Sequence, residues 1–292
     1  MIYRLLHFFL KLLSYIPFRM LYILSDGLFY PLYYIVRYRR KIVRRNLTEC
    51  FPKKSLPEIK QIEKKFYHSF TDMMLESCKL ASISPKEIQR RMHFINTEAV
   101  NSMLRQGKSV SVYIGHYGNW EWVSSMPLWL EKNVAGIQIY HKLRNPNMER
   151  LMLHIRKRMG GISVEMYKTA RYITELATHH QICIVGFIAD QSPKKREVRH
   201  FLPFLHHKTP VLTGSEKITK HYGFEAFYLD VKKIRRGYYE AAFIQLHDHP
   251  QSLPDFELTA LYFQKLEQAI LRQPELYLWT HNRFKHAEKL DT

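Results

Sequence analysis

The residues best suited to chemistry lie in one short run, Gly115-His116-Tyr117-Gly118-Asn119-Trp120-Glu121. An imidazole can take a proton from a hydroxyl. A carboxylate beside it fixes the ring tautomer and stabilises the imidazolium that forms. On one continuous helix, the five-residue spacing of His116 and Glu121 would put them about 140° apart around the axis, too far to cooperate. The local pattern predicts a different geometry. Val110-Ser111-Val112-Tyr113-Ile114 reads as a strand ending at Gly115-His116, and Gly118-Asn119 supplies a turn and a cap for a helix carrying Glu121. A turn broken by glycine can fold Glu121 back onto the imidazole. A lone histidine after a strand is more often structural than catalytic, so spacing alone does not make a site.

Other groups could join this pair. Arg144, Arg150, Arg156 and Arg158 carry guanidinium forks that match phosphate and carboxylate oxygens bidentately, and a solvated helix face is the plainer explanation for any one of them. Asp190-Gln191 follows an apolar strand, where it can bond a basic residue or a substrate, or form an ordinary turn. Neither a metal nor any other cofactor is expected. The pairs His179-His180, His206-His207 and His247 with His249 lack ligand spacing, and Cys50, Cys78 and Cys183 are scattered and odd in number. The scattered thiols suit a reducing, cytosol-facing location. The chain contains no G-x-S-x-G, no G-x-G-x-x-G and no P-loop, which disfavours serine hydrolases and nucleotide enzymes.

The flanking pattern shows what must hold these residues. β-prone runs at Ser109–Ile114, Val134–Tyr140, Ile182–Ile188, Glu225–Asp230 and Tyr239–Leu246 alternate with helical stretches at Asn119–Leu130, Pro146–Met159, Thr169–His179, Val211–Tyr222 and Phe256–Arg272. Pro57–Leu80 reads as a longer helix, and Asn96-Thr97 offers a helix cap with Gly107 as its stop. The expected fold is α/β, a central mixed sheet flanked by helices.

The amino end differs from the rest. Residues 1–36 are the most apolar stretch, interrupted by Arg4, Lys11, Arg19 and Asp26 and bent by Pro17 and Pro31. No uncharged segment reaches the roughly 18 residues of a spanning helix. Arg37-Tyr38-Arg39-Arg40-Lys41-Ile42-Val43-Arg44-Arg45 follows, so an apolar segment precedes a polybasic one, the two-signal arrangement that holds proteins on anionic bilayers. Buried helices of a soluble domain would read the same way. Residues 1–45 are expected to form a helical membrane anchor and 46–292 the remaining domain. The 292-residue chain has 46% apolar residues, 14% aromatics and a net charge of +19. That charge calls for an anionic partner, and no nucleic-acid-binding signature accompanies it.

Gly115 to Glu121 resembles the H-x-x-x-x-[DE] block of glycerolipid-type acyltransferases, especially the branch that adds secondary acyl chains to lipid A precursors. Further segments fit in the same order. They are Asn96-Thr97-Glu98 with Gly107-Lys108, then Tyr140 with Arg144-Asn145-Pro146, then Arg156 and Arg158 in a helix end. Asp190-Gln191, Phe201-Leu202-Pro203-Phe204 with Thr209-Pro210 and Thr213-Gly214, and Trp279-Thr280-His281-Asn282-Arg283-Phe284-Lys285 complete the series. His141 stands where the family usually has Arg, Leu205 where it has Gly, and Pro210 where it has a small residue. The resemblance implies an acyl thioester donor, acyl carrier protein or coenzyme A, and an anionic glycolipid acceptor at the cytoplasmic face of the bacterial inner membrane. It implies His116 as general base and Glu121 as its partner. A lysophospholipid, aminolipid or glycosylated lipid as acceptor, or a non-enzymatic membrane-surface protein, are the alternatives.

Overall fold

The computed structural model describes residues 2–289, so Met1 and residues 290–292 of the two expected segments lie outside the described residues. The chain opens with α1 (Ile2–Tyr15) and α2 (Phe18–Tyr30), broken at Pro17, and α2 runs into a π-helical turn at Pro31–Ile35. Then come α3 (Arg40–Cys50), α4 (Leu56–Lys79), α5 (Pro85–Arg91), β1 (Met92–Ile95), α6 (Thr97–Arg105) and β2 (Val110–Ile114). The middle of the chain supplies β3 (Ala135–Tyr140), α7 (Pro146–Lys157), β4 (Ile162–Glu165), α8 (Thr169–Thr178) and β5 (Cys183–Ile188). A hairpin of β6 (His200–Phe204) and β7 (His207–Val211) precedes α9 (Gly214–His221), β8 (Glu225–Arg235) and β9 (Tyr238–His247). The last elements are α10 (Glu257–Arg272) and β10 (Glu288–Lys289).

Seven strands form one sheet in the order β1-β9-β8-β2-β5-β3-β4. Only the β8–β9 pairing is antiparallel, so the sheet is mixed, as the alternation of elements predicts. β2 is buried along its whole length and is the central strand, and apolar runs without alternation are what a sheet covered on both faces requires. One face of β3 and β5, through Ile137, Val185 and Phe187, packs on Ile173 and Leu176 of α8. β6, β7 and β10 make a separate three-stranded sheet.

Two expectations change. The segment after Asn119 is not an α-helix: Trp122–Trp129 is a 3-10 helix containing Pro127, whose missing N–H breaks the α-helical ladder. Short strands at β1, β4, β6, β7 and β10 escape a reading based on long apolar runs, because most alternate buried and exposed residues over only a few positions.

At the amino end, no single helix among the described residues is long and apolar enough to cross a membrane. Together α1 and the α2 region reach that length and composition, but they are bent by 112°. Leu5, Phe8, Phe9, Leu12, Met20 and Ile23 are exposed on them. The polybasic run is partly folded inward. Arg40 and Arg44 both bond Glu63 of α4, a fully buried carboxylate, which leaves Arg37, Arg39, Lys41 and Arg45 on the surface. The expected boundary at residue 45 falls inside α3.

Candidate active site

Strand register creates the site. Ile114 of β2 pairs with Ile188 of β5, and two residues beyond each the chain places His116 and Asp190. Asp190 bonds His116 twice: Oδ1 lies 2.7 Å from Nδ1, and Oδ2 accepts the backbone N–H at 3.1 Å. With Nδ1–H donating to the carboxylate, Nε2 is left as the acceptor. That nitrogen lies 3.2 Å from the Gln191 amide nitrogen, so the next residue in the chain holds the lone pair a substrate hydroxyl would use.

Asp190 is 1% exposed. Burial pushes its carboxyl up, but the His116 imidazole, the two hydrogen bonds and the Arg283 guanidinium outweigh burial and hold it below the usual carboxylate range. The carboxylate that fixes the ring is therefore Asp190, and the expected fold-back of Glu121 onto Nδ1 is replaced.

Glu121 turns to Arg156 of α7 instead, in a two-point ion pair at 2.7 Å and 3.1 Å. His116, Glu121, Arg156 and Gln191 together line one end of a cavity of about 690 Å3. Elsewhere its walls are largely apolar, with Met126, Pro127, Leu130 and Ile184 among them. The other three arginines lie outside this cavity. Arg144 is on an exposed loop, Arg150 stacks on Tyr3 of α1 at 4.3 Å, and Arg158 donates to the carbonyls of Leu80 and Ile83. Among the described residues, no group of three or more His, Cys, Asp or Glu is arranged to hold a metal ion.

The turn that carries His116 has two further supports. The carboxyl-terminal segment pairs with it: Gly118 N–H donates to Leu276 O at 3.0 Å, Leu278 N–H donates to His116 O at 3.1 Å, and Tyr117 bridges to Tyr277. Gly118 has φ +63°, and a Cβ there would sit 2.9 Å from Val231, so turn geometry and close packing both demand glycine. His281 Nε2 accepts the Ser192 N–H at 3.1 Å, and burial pushes its imidazole down to about 4. On the opposite side, Glu76 of α4 is fully buried and takes hydrogen bonds from Asn119 at 2.8 Å, Tyr239 at 2.8 Å and Tyr22 at 3.0 Å. Asn119 is not the cap residue of the 3-10 helix, which is Glu121, but its side-chain oxygen accepts the Trp122 N–H at 3.1 Å within the turn. Sequence reasoning missed Glu76, whose only mark is an acidic residue on the apolar face of a helix.

Residues 1–286 match the bacterial lipid A biosynthesis acyltransferase family. The chain belongs to that family. It is an acyltransferase, similar to the lipid A biosynthesis acyltransferase of Haemophilus influenzae, with 23% identity over 274 residues that cover 93% of this chain and 84% of that protein. The lipid A biosynthesis lauroyltransferase of Escherichia coli is 24% identical over 273 residues, 92% of this chain and 87% of the relative. The myristoyltransferase of the same organism is 26% identical over 125 residues, 42% of this chain and 37% of the relative. The site thus brings together an imidazole held by Asp190, an ion pair between Glu121 and Arg156, and a largely apolar cavity.

Proposed function

We propose that this acyltransferase moves a fatty acyl chain from an acyl thioester to a hydroxyl of a lipid A precursor, with His116 as general base. The observation that carries the reading is the His116–Asp190 pair opening onto the apolar cavity. The acceptor hydroxyl displaces the Gln191 amide from Nε2 and gives up its proton there, while Asp190 stabilises the imidazolium. The oxygen attacks the thioester carbonyl, and the proton passes from His116 to the departing thiolate. Arg156, held by Glu121 in the cavity wall, stabilises the oxyanion of the tetrahedral intermediate. The cavity takes the acyl chain out of water.

The donor in this reading is acyl carrier protein, an acidic partner that a chain of net charge +19 attracts, with coenzyme A as the other thioester to compare. The exposed apolar side chains of α1 and α2, with Arg37, Arg39, Lys41 and Arg45 nearby, suit an interfacial seat on the cytoplasmic face of the inner membrane. The test is mass spectrometry of lipid A precursor after incubation with acyl-loaded carrier protein and membranes holding either this protein or His116→Ala. A gain of one acyl chain is expected with the unmodified protein, falling at least about 100-fold in the variant. Equal gain from both would remove His116 as the base, and a gain only on other lipids would move the enzyme to another acceptor.

A further inference from the structure

One wall of the cavity is a sheet face, and its chemistry changes with depth. Nearest His116 are Ile114 and Ile188, level with each other in register. In the next layer Gly186 pairs with Gln138, and in the layer below it Ile184 pairs with Gly136. Pro127 sits over Gly136, where a Cβ would be only 3.1 Å from its ring. Gln138 is the polar side chain of these layers that lines the cavity; Ser163, level with it on β4, is also polar and without a partner but is not part of the lining. The Gln138 amide nitrogen is buried without a protein partner, and Gly161 leaves the room it needs, since a Cβ at 161 would lie 2.8 Å from that nitrogen.

We propose that Gln138 sets the length of the acyl chain this enzyme accepts. The inference rests on the cavity being the acyl site. An N–H without a protein partner costs free energy unless a small turn of the side chain brings it to water in the cavity that Gln138 lines. A chain whose methyl end stops above Gln138 leaves that hydration in place. A chain that runs past strips it and puts methylene in its place, which cannot accept a hydrogen bond. Gln138 is level with Val112, four residues before His116, and two strands across, which places it about 13 Å down and about 10 Å sideways from the base. That span suits a medium-length saturated chain, and the layer of Ile184 and Gly136 beyond it would admit a longer one if the amide did not intervene.

The experiment is a competition among carrier-protein thioesters of saturated chains stepped in length, with products weighed by mass spectrometry. Gln138→Leu keeps the bulk and removes the donor. It should raise the ratio of longer products to the wild-type product by at least about tenfold. Gly186→Val adds apolar bulk in the same layer, against the flexible end of Ile114 at 3.3 Å, and should shift products toward shorter chains. Product ratios do not depend on how much protein folds. Affinity for free saturated fatty acids, measured in parallel, needs no acceptor. A wild-type protein that makes no product but binds fatty acids with the same length preference would overturn the acceptor alone. An unchanged length profile in Gln138→Leu, in products and in binding, would overturn the role of Gln138.

Discussion

Two buried carboxylates grip the turn that carries His116 at its two ends, and burial treats them differently. Asp190 bonds the imidazole and backbone of His116 and has Arg283 behind it, so its carboxyl is held low despite complete burial. Glu76 bonds the neutral groups of Asn119, Tyr22 and Tyr239, and burial raises its carboxyl because the Lys233 charge and the hydrogen bonds, opposed by Asp72, do not offset it. The lesson is that depth alone does not decide the charge of a buried acid; the charges facing it do. One carboxylate is thereby fitted to stabilise an imidazolium, while the other serves as a bracket.

The comparison breaks first at Asp190. Asp190→Asn should lower kcat by about 100- to 10,000-fold with a smaller change in KM, because the amide can hold the ring in the wrong tautomer. A variant with near-normal kcat would make Asp190 a bracket like Glu76. At Glu76 the expected contrast is between substitutions. Glu76→Gln should keep most of its hydrogen bonds and stay within about 1 kcal/mol in stability, whereas Glu76→Leu strands the buried Asn119 and Tyr239 and the half-buried Tyr22, and should cost about 1–3 kcal/mol for each buried group left unmet. Thermal melts of the two variants decide it, and equal losses would mean that Glu76 acts through its charge.

The smallest effect concerns His281. In the fold it takes a proton only near pH 4, against 6.5 for the ordinary group. Between those values the unfolded chain binds more protons, so stability rises with pH; it is full above 6.5 and is lost as pH falls toward 4. His281→Asn should flatten that decline in melting temperature, and an unchanged slope would assign it to other groups.

The sequence placed His116 correctly at a strand end, because an apolar run followed by Gly115 is a local signal. It paired that histidine with the wrong carboxylate, because Glu121 is five residues away and Asp190 is 74. Only the pairing of Ile114 with Ile188 makes them neighbours, and register between strands is not written in either strand alone. The central strands were legible through their unbroken burial. Trp122–Trp129 was not, since an apolar run looks helical until Pro127 and the turn at Gly118 take over. Of the four arginines, Arg156 alone reaches the cavity, a matter of which helix face turns inward.

The pairing of His116 and Gly118 with Leu278 and Leu276 also orders events in time. During synthesis α1 and α2 leave the ribosome early, while His116 waits some 160 residues for the segment that shapes its turn. The amino-terminal helices can thus fold while the turn is still unshaped, and the His116–Asp190 geometry is complete only when nearly the whole chain has been made.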